Sequence, residues 1–174
     1  WMDMLWKGPW QSLEHLSFNE HDLEGTVLGL YESKAFAIDY EIRCFSCWRT
    51  RQATVIPKRG LPIAVVGDGE GNWTCDGEPR PEWQGCLDVD LGFTLATNML
   101  PIKRLDLAVG DDRTIKVIWY RFPQGRFEVV EQNYAHLAPR LYRYTNLATG
   151  FTADLSIDDN GMVKDYGELW CQLC

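Results

Sequence analysis

The sequence predicts an all-β protein, a many-stranded antiparallel sheet that is curved or closed into a barrel, in a single domain over residues 1–174. Three observations carry this. Turn signals recur about every ten to fifteen residues. No long stretch shows the 3.6-residue period of an amphipathic helix. Eight Trp, seven Tyr and seven Phe suit broad pleated surfaces better than narrow helical seams.

Residues 1–20 mix aromatic and polar side chains and suggest a leading strand or a short helical turn. From Glu24 the strand signals are clear, and Gly25 and Gly29 within residues 25–31 suggest a bulge or a close backbone approach. Phe36, Ile38, Tyr40, Ile42 and Cys44 alternate with Ala37, Asp39, Glu41 and Arg43, which gives one apolar and one polar face. After Cys44-Phe45-Ser46-Cys47, residues 48–56 read as the same strand continuing past a bend, long enough to coil strongly. Residues 61–66 form a short apolar strand, and the Gly-rich, acidic run 67–72 is a turn leading to Trp73. Strands follow at 86–91, 100–107, 114–122, 126–134, 140–145 and 151–157. The best helical segment, around Leu95 to Met99, is limited to about one turn by Pro101.

Composition excludes several functions. A formal net charge of −8 argues against nucleic acid and against polybasic membrane binding. No apolar run reaches the roughly 18 residues of a spanning helix. The N-terminal residues show no signal-peptide pattern, Lys7 standing alone among Trp and Met, so the expected location is cytoplasmic and the six Cys are expected as free thiols. Cys44/Cys47 and Cys171/Cys174 form two C-x-x-C pairs, enough donors for a four-thiolate zinc site. They lie far apart in sequence, and a regular strand would point residues i and i+3 to opposite faces, so no metal and no cofactor are expected. His15, His21 and His136 lack any short metal-binding spacing. No nucleophile elbow is present, and Gly67-x-Gly69-x-Gly71 precedes no helix.

The block from Gly85-Cys86-Leu87-Asp88-Val89-Asp90-Leu91 through Thr94-Leu95-Ala96-Thr97-Asn98-Met99-Leu100-Pro101-Ile102-Lys103-Arg104-Leu105 is specific. It resembles the signature of a glycolipid-binding family of mostly bacterial proteins. Gly25-Thr26-Val27-Leu28-Gly29, Trp48-Arg49-Thr50-Arg51, Gly71-Asn72-Trp73, Gln132-Asn133-Tyr134 and Tyr142-Arg143-Tyr144 extend the likeness over about residues 24–166. Leu95-Ala96, Lys103 and Asn133 depart from the family pattern, which favours Pro-Phe, Arg and Arg there. The resemblance implies a barrel-like sheet similar to the carriers that shield lipoprotein acyl chains. It also implies an internal cavity that holds a glycolipid or another amphiphile.

The residues themselves narrow that expectation. Asp88 and Asp90 share one face of a strand, where they can pair with Arg49, Arg51, Lys103 or Arg104, orient sugar hydroxyls, or do acid-base work. A glycosidase places its carboxylates on opposite sides of the scissile bond, so a structural or ligand-orienting role is preferred and no catalytic residue is assigned. Gln132 and Tyr134 offer an amide and a phenol on one face, while Tyr40, Trp48 and Trp73 suit either a core or a pocket wall. Asn98, with Thr94 and Thr97, is placed to cap the turn before Pro101. The candidate ligand-binding set is thus Tyr40, Trp48, Arg51, Trp73, Asp88, Asp90, Asn98, Arg104, Gln132 and Tyr134. The leading expectation is a non-catalytic binding protein. The alternatives are a sugar- or lipid-acting enzyme using Asp88, Asp90 or Glu131, and a module that binds partners through a sheet edge.

Overall fold

The computed structural model describes residues 1–174. The chain opens with two short strands, β1 (Met2–Gly8) and β2 (Ser12–Phe18), paired as a hairpin. Both are strands because alternate side chains, Met4 and Trp6 on one and Ser12, Glu14, Leu16 and Phe18 on the other, turn to a common interior. The meander continues through β3 (Asp22–Tyr31), β4 (Lys34–Cys44), β5 (Thr50–Pro57), β6 (Ile63–Gly67), β7 (Trp73–Cys75) and β8 (Glu78–Pro79). After β9 (Asp88–Leu91) and a helical segment come β10 (Asp112–Arg121), β11 (Arg126–Ala138), β12 (Leu141–Asn146), β13 (Thr152–Ile157), β14 (Val163–Tyr166) and β15 (Trp170–Gln172).

All fifteen strands form one curved sheet in the order β8 to β1, then β15 to β9. Trp6 pairs with Gln172, so the first and last strands lie side by side at its middle, and β8 and β9 are its free edges. Every neighbouring pair is antiparallel except β9 with β10. A parallel return needs a long crossover, and residues 92–111 supply it.

That crossover determines the interior. It runs through a 3-10 turn, Ala96–Asn98, into α1 (Met99–Leu105), and every residue from 93 to 102 is buried. Its partners are inward residues of distant strands: Glu14 and Tyr40 through Thr94, Tyr134 through Asn98, and the Tyr120 ring through Phe93. The concave side of the sheet is therefore occupied by the chain's own helical segment, and open space is displaced to its margins.

Three local expectations are corrected. Residues 100–107 are helix and loop, not strand: Pro101 sits in the first turn of α1, where an amide hydrogen has no helical partner anyway, so the helix runs on to Leu105. Residues 48–56 do not prolong β4. The chain reverses at Phe45–Trp48, with the Trp48 amide donating to the Phe45 carbonyl at 2.9 Å, and β5 returns antiparallel. Trp48 takes the left-handed conformation there, φ +65°, so the turn carries no glycine to announce it. Residues 1–20 form two strands rather than one. No helix of the protein is long and apolar enough to cross a membrane.

Candidate functional site

Two carboxylates of β9 set the site. Asp88 is wholly buried, and Arg104 of α1 grips it twice, Nη2 donating at 2.6 Å and Nε at 3.1 Å. Burial raises the Asp88 carboxyl and the guanidinium opposes that shift. Asp90, two residues on, accepts from the Thr97 hydroxyl at 2.9 Å and from Gln132 Nε2 at 2.7 Å. Burial raises its pKa too, against these hydrogen bonds and one from Tyr144. The alternation that puts both acids on one face thus sends them to separate partners.

Beside Asp90 the sheet and the crossover leave a cleft of about 290 Å³. Its floor is polar, with Asp90, Thr94, Asn98 and Asn146, and its walls are the rings of Trp10, Trp119, Tyr144, Phe151, Tyr166 and Trp170. Neighbouring rings brace one another: Tyr166 meets Trp170 edge-on at 5.1 Å and lies parallel to Phe151 at 5.9 Å. Asn98 Nδ2 donates to the Tyr134 hydroxyl at 3.0 Å, which fixes one floor group from below. Asp90 is the only acid on the lining, and no basic side chain joins it.

Behind Thr94 lies a second buried acid. Glu14 Oε1 accepts from the Tyr40 and Thr94 hydroxyls, each at 2.5 Å, while Oε2 has no partner. Burial without a counter-charge pushes Glu14 up to about 7. Because the folded value lies above the unfolded 4.5, the native state holds the extra proton between these values. The stability that Glu14 contributes is full below about pH 4.5 and is lost as pH rises through about 7. Against Glu14→Gln, which keeps an acceptor for both hydroxyls, the unmodified protein is expected to lose up to about 3 kcal/mol over that window in urea titrations. Parallel curves for the two proteins would show that Glu14 is not held neutral.

The ten sequence candidates therefore divide. Asp90 and Asn98 line the cleft, and Gln132 and Tyr134 support its floor. Asp88 and Arg104 form the internal ion pair, and Tyr40 serves Glu14. Trp73 is core, its Nε1 donating to the Cys86 carbonyl at 2.9 Å. Trp48 borders a separate hollow, with the Lys103 ammonium 4.6 Å above its ring. Arg51 is exposed on β5. Glu131 is exposed as well.

Glu14, Trp10, Trp119, Tyr144, Asn146, Phe151, Tyr166 and Trp170 were not among the sequence candidates, and Thr94 was placed as a cap. Of these only Glu14 carries a local signal, being an acid in phase with Leu16 and Phe18. All six cysteines are free thiols, and no three His, Cys, Asp or Glu side chains converge as a metal site. Burial pushes the Cys44 thiol up to about 12, far from a ready thiolate.

Comparison with known proteins places this geometry. Residues 4–172 match the family model described as "Putative glycolipid-binding". A crystal structure of a DUF1089 family protein from Pseudomonas aeruginosa superposes with a TM-score of 0.87 at 32% identity, covering 97% of this chain and 95% of that one. Curated proteins give no significant match. With nearly its whole length matched and the same fold in a relative, the chain belongs to the family described as "Putative glycolipid-binding".

Proposed function

We propose that the protein binds the sugar headgroup of a glycolipid, or of a similar amphiphile, in the Asp90 cleft and does no chemistry on it. The observation that carries this reading is the pairing of a polar floor with six aromatic wall residues in one opening. Sugar rings present apolar C–H faces and a rim of hydroxyls. Aromatic faces take the first, and carboxylate, amide and hydroxyl groups take the second. Asp90 is oriented for this by Thr97 and Gln132.

Binding without catalysis is supported by the state of the acids. Glycoside hydrolysis uses two carboxyl groups flanking one bond, whereas the cleft is lined by one. Asp88, the neighbour that could have joined it, is enclosed and held by Arg104. Glu14 touches the cleft only through Thr94.

Decyl maltoside below its micelle concentration is the probe. Native mass spectrometry should show a one-to-one adduct, and calorimetry should give an affinity about tenfold weaker in Phe151→Ala. That side chain is 40% exposed, so its loss leaves the core intact. Equal affinity in both proteins would place the sugar elsewhere. Release of glucose or decanol on long incubation, abolished by Asp90→Asn, would replace the binding reading with an enzymatic one.

A further inference from the structure

A larger opening adjoins the cleft and has its own chemistry. It is a trough of about 1110 Å³ at the open side of the sheet, bounded by the β3–β4 turn, the β5–β6 link and the β10–β11 turn. Its apolar lining includes Tyr31, Phe36, Ile38, Leu61, Ile63 and Phe122. Leu61 is 88% exposed there, an aliphatic side chain with nothing over it.

Two features say what fits. The first is charge. On a chain of net charge −8, the trough gathers Lys34, Lys58 and Arg59. Lys58 is paired with Asp39 at 2.5 Å, but Lys34 and Arg59 have no ion-pair partner. The one acid on the lining, Asp76, is engaged by the Ala64 amide at 2.8 Å. The second is continuity. Trp10 lines the sugar cleft and packs on rings that line the trough, 4.9 Å from Phe122 and 5.9 Å from Tyr31. Phe36 closes the same cluster, 5.0 Å from Phe122. The cleft and the trough therefore share one cluster of packed rings.

We propose that the trough is a binding site for the alkyl chain of an anionic amphiphile, with the ligand's phosphate or carboxylate held by Lys34 and Arg59. The assignment rests on the headgroup reading above for whatever lies beyond Trp10, and extends it to an acidic lipid. Apolar burial drives the chain into the trough, each methylene raising affinity about fourfold when fully covered. The two free cations select the sign of the charge beside it.

Calorimetry with decyl phosphate, octyl phosphate, decyltrimethylammonium and inorganic phosphate, all below micelle concentrations, tests this. Decyl phosphate should bind at least tenfold tighter than decyltrimethylammonium and clearly tighter than octyl phosphate, and inorganic phosphate alone should not register. Both Lys34→Glu/Arg59→Glu and Leu61→Asp should weaken decyl phosphate at least tenfold, and both alter exposed side chains that the fold does not need. Decyl phosphate binding that ignores both variants, or that inorganic phosphate matches, overturns the proposal. Phe151→Ala separates the two readings: it should weaken decyl maltoside and leave decyl phosphate unchanged. A trough that responds to its own variants while the maltoside fails to bind would sink the headgroup reading alone.

Discussion

In Arg104→Met the free energy of unfolding falls by about 3–5 kcal/mol at pH 7.5, the range for a buried ion pair stripped of one partner. The size follows from Asp88. Its side chain is 0% exposed and its only hydrogen-bond partner is the guanidinium, so the variant leaves a charge with neither water nor counter-ion. The carboxyl then escapes by taking a proton, its pKa already raised by burial. The loss should accordingly shrink at pH 5. The double variant Asp88→Leu/Arg104→Met should recover most of the stability, because a well-packed apolar pair often equals a buried ionic one. Urea titrations of both proteins at the two pH values provide the check. A loss below about 1 kcal/mol at pH 7.5 would mean that Asp88 finds another partner. The pair ties β9 to α1, and so fixes Asp90 two residues along. Stability and the position of the cleft floor therefore depend on the same contact.

That contact was among the pairings the sequence offered, since Arg104 lay in the same specific block as Asp88. The strand pattern was equally open: Ile38, Tyr40 and Ile42 face inward, as their alternation requires. What stayed hidden has identifiable physical causes. Residues 93–102 of the crossover are all buried, polar Thr94, Thr97 and Asn98 included, so the stretch has no solvent-facing side and hence no period to read. Half of the six wall rings come from β12, β14 and β15, and the last two strands have only four and three residues. A strand that short carries too few alternations to announce itself. Tyr144, Tyr166 and Trp170 meet Trp10 and Asp90 only because β15 pairs with β1 and the crossover brings β9 beneath them. Local pattern cannot report a closure between chain ends.

Gly25→Ala tests the most demanding of these long-range placements, with an expected loss of about 3 kcal/mol. Gly25 lies on β3 between β2, which carries Glu14, and β4, which carries Tyr40. To reach Glu14, the Tyr40 side chain must cross the intervening strand, and a Cβ on Gly25 would clash with its Cε1, Cζ and hydroxyl oxygen. The ring must therefore move. Overpacking alone costs about 1–3 kcal/mol, and withdrawing the hydroxyl strips buried Glu14 of one of its two donors, at about another 1–3 kcal/mol. Thr94 is then the sole remaining partner of Glu14, so a floor group of the cleft is disturbed as well. The background Tyr40→Ala removes the ring, and there Gly25→Ala should cost little, since alanine is no worse than glycine in a strand. The difference between backgrounds, read as a coupling free energy in a double-mutant cycle, isolates the crossing itself. If Gly25→Ala is equally costly with and without the ring, strain in β3 and not passage of Tyr40 explains the glycine. If the coupling appears, one absent side chain on β3 is what lets Tyr40 reach the acid behind the candidate sugar site.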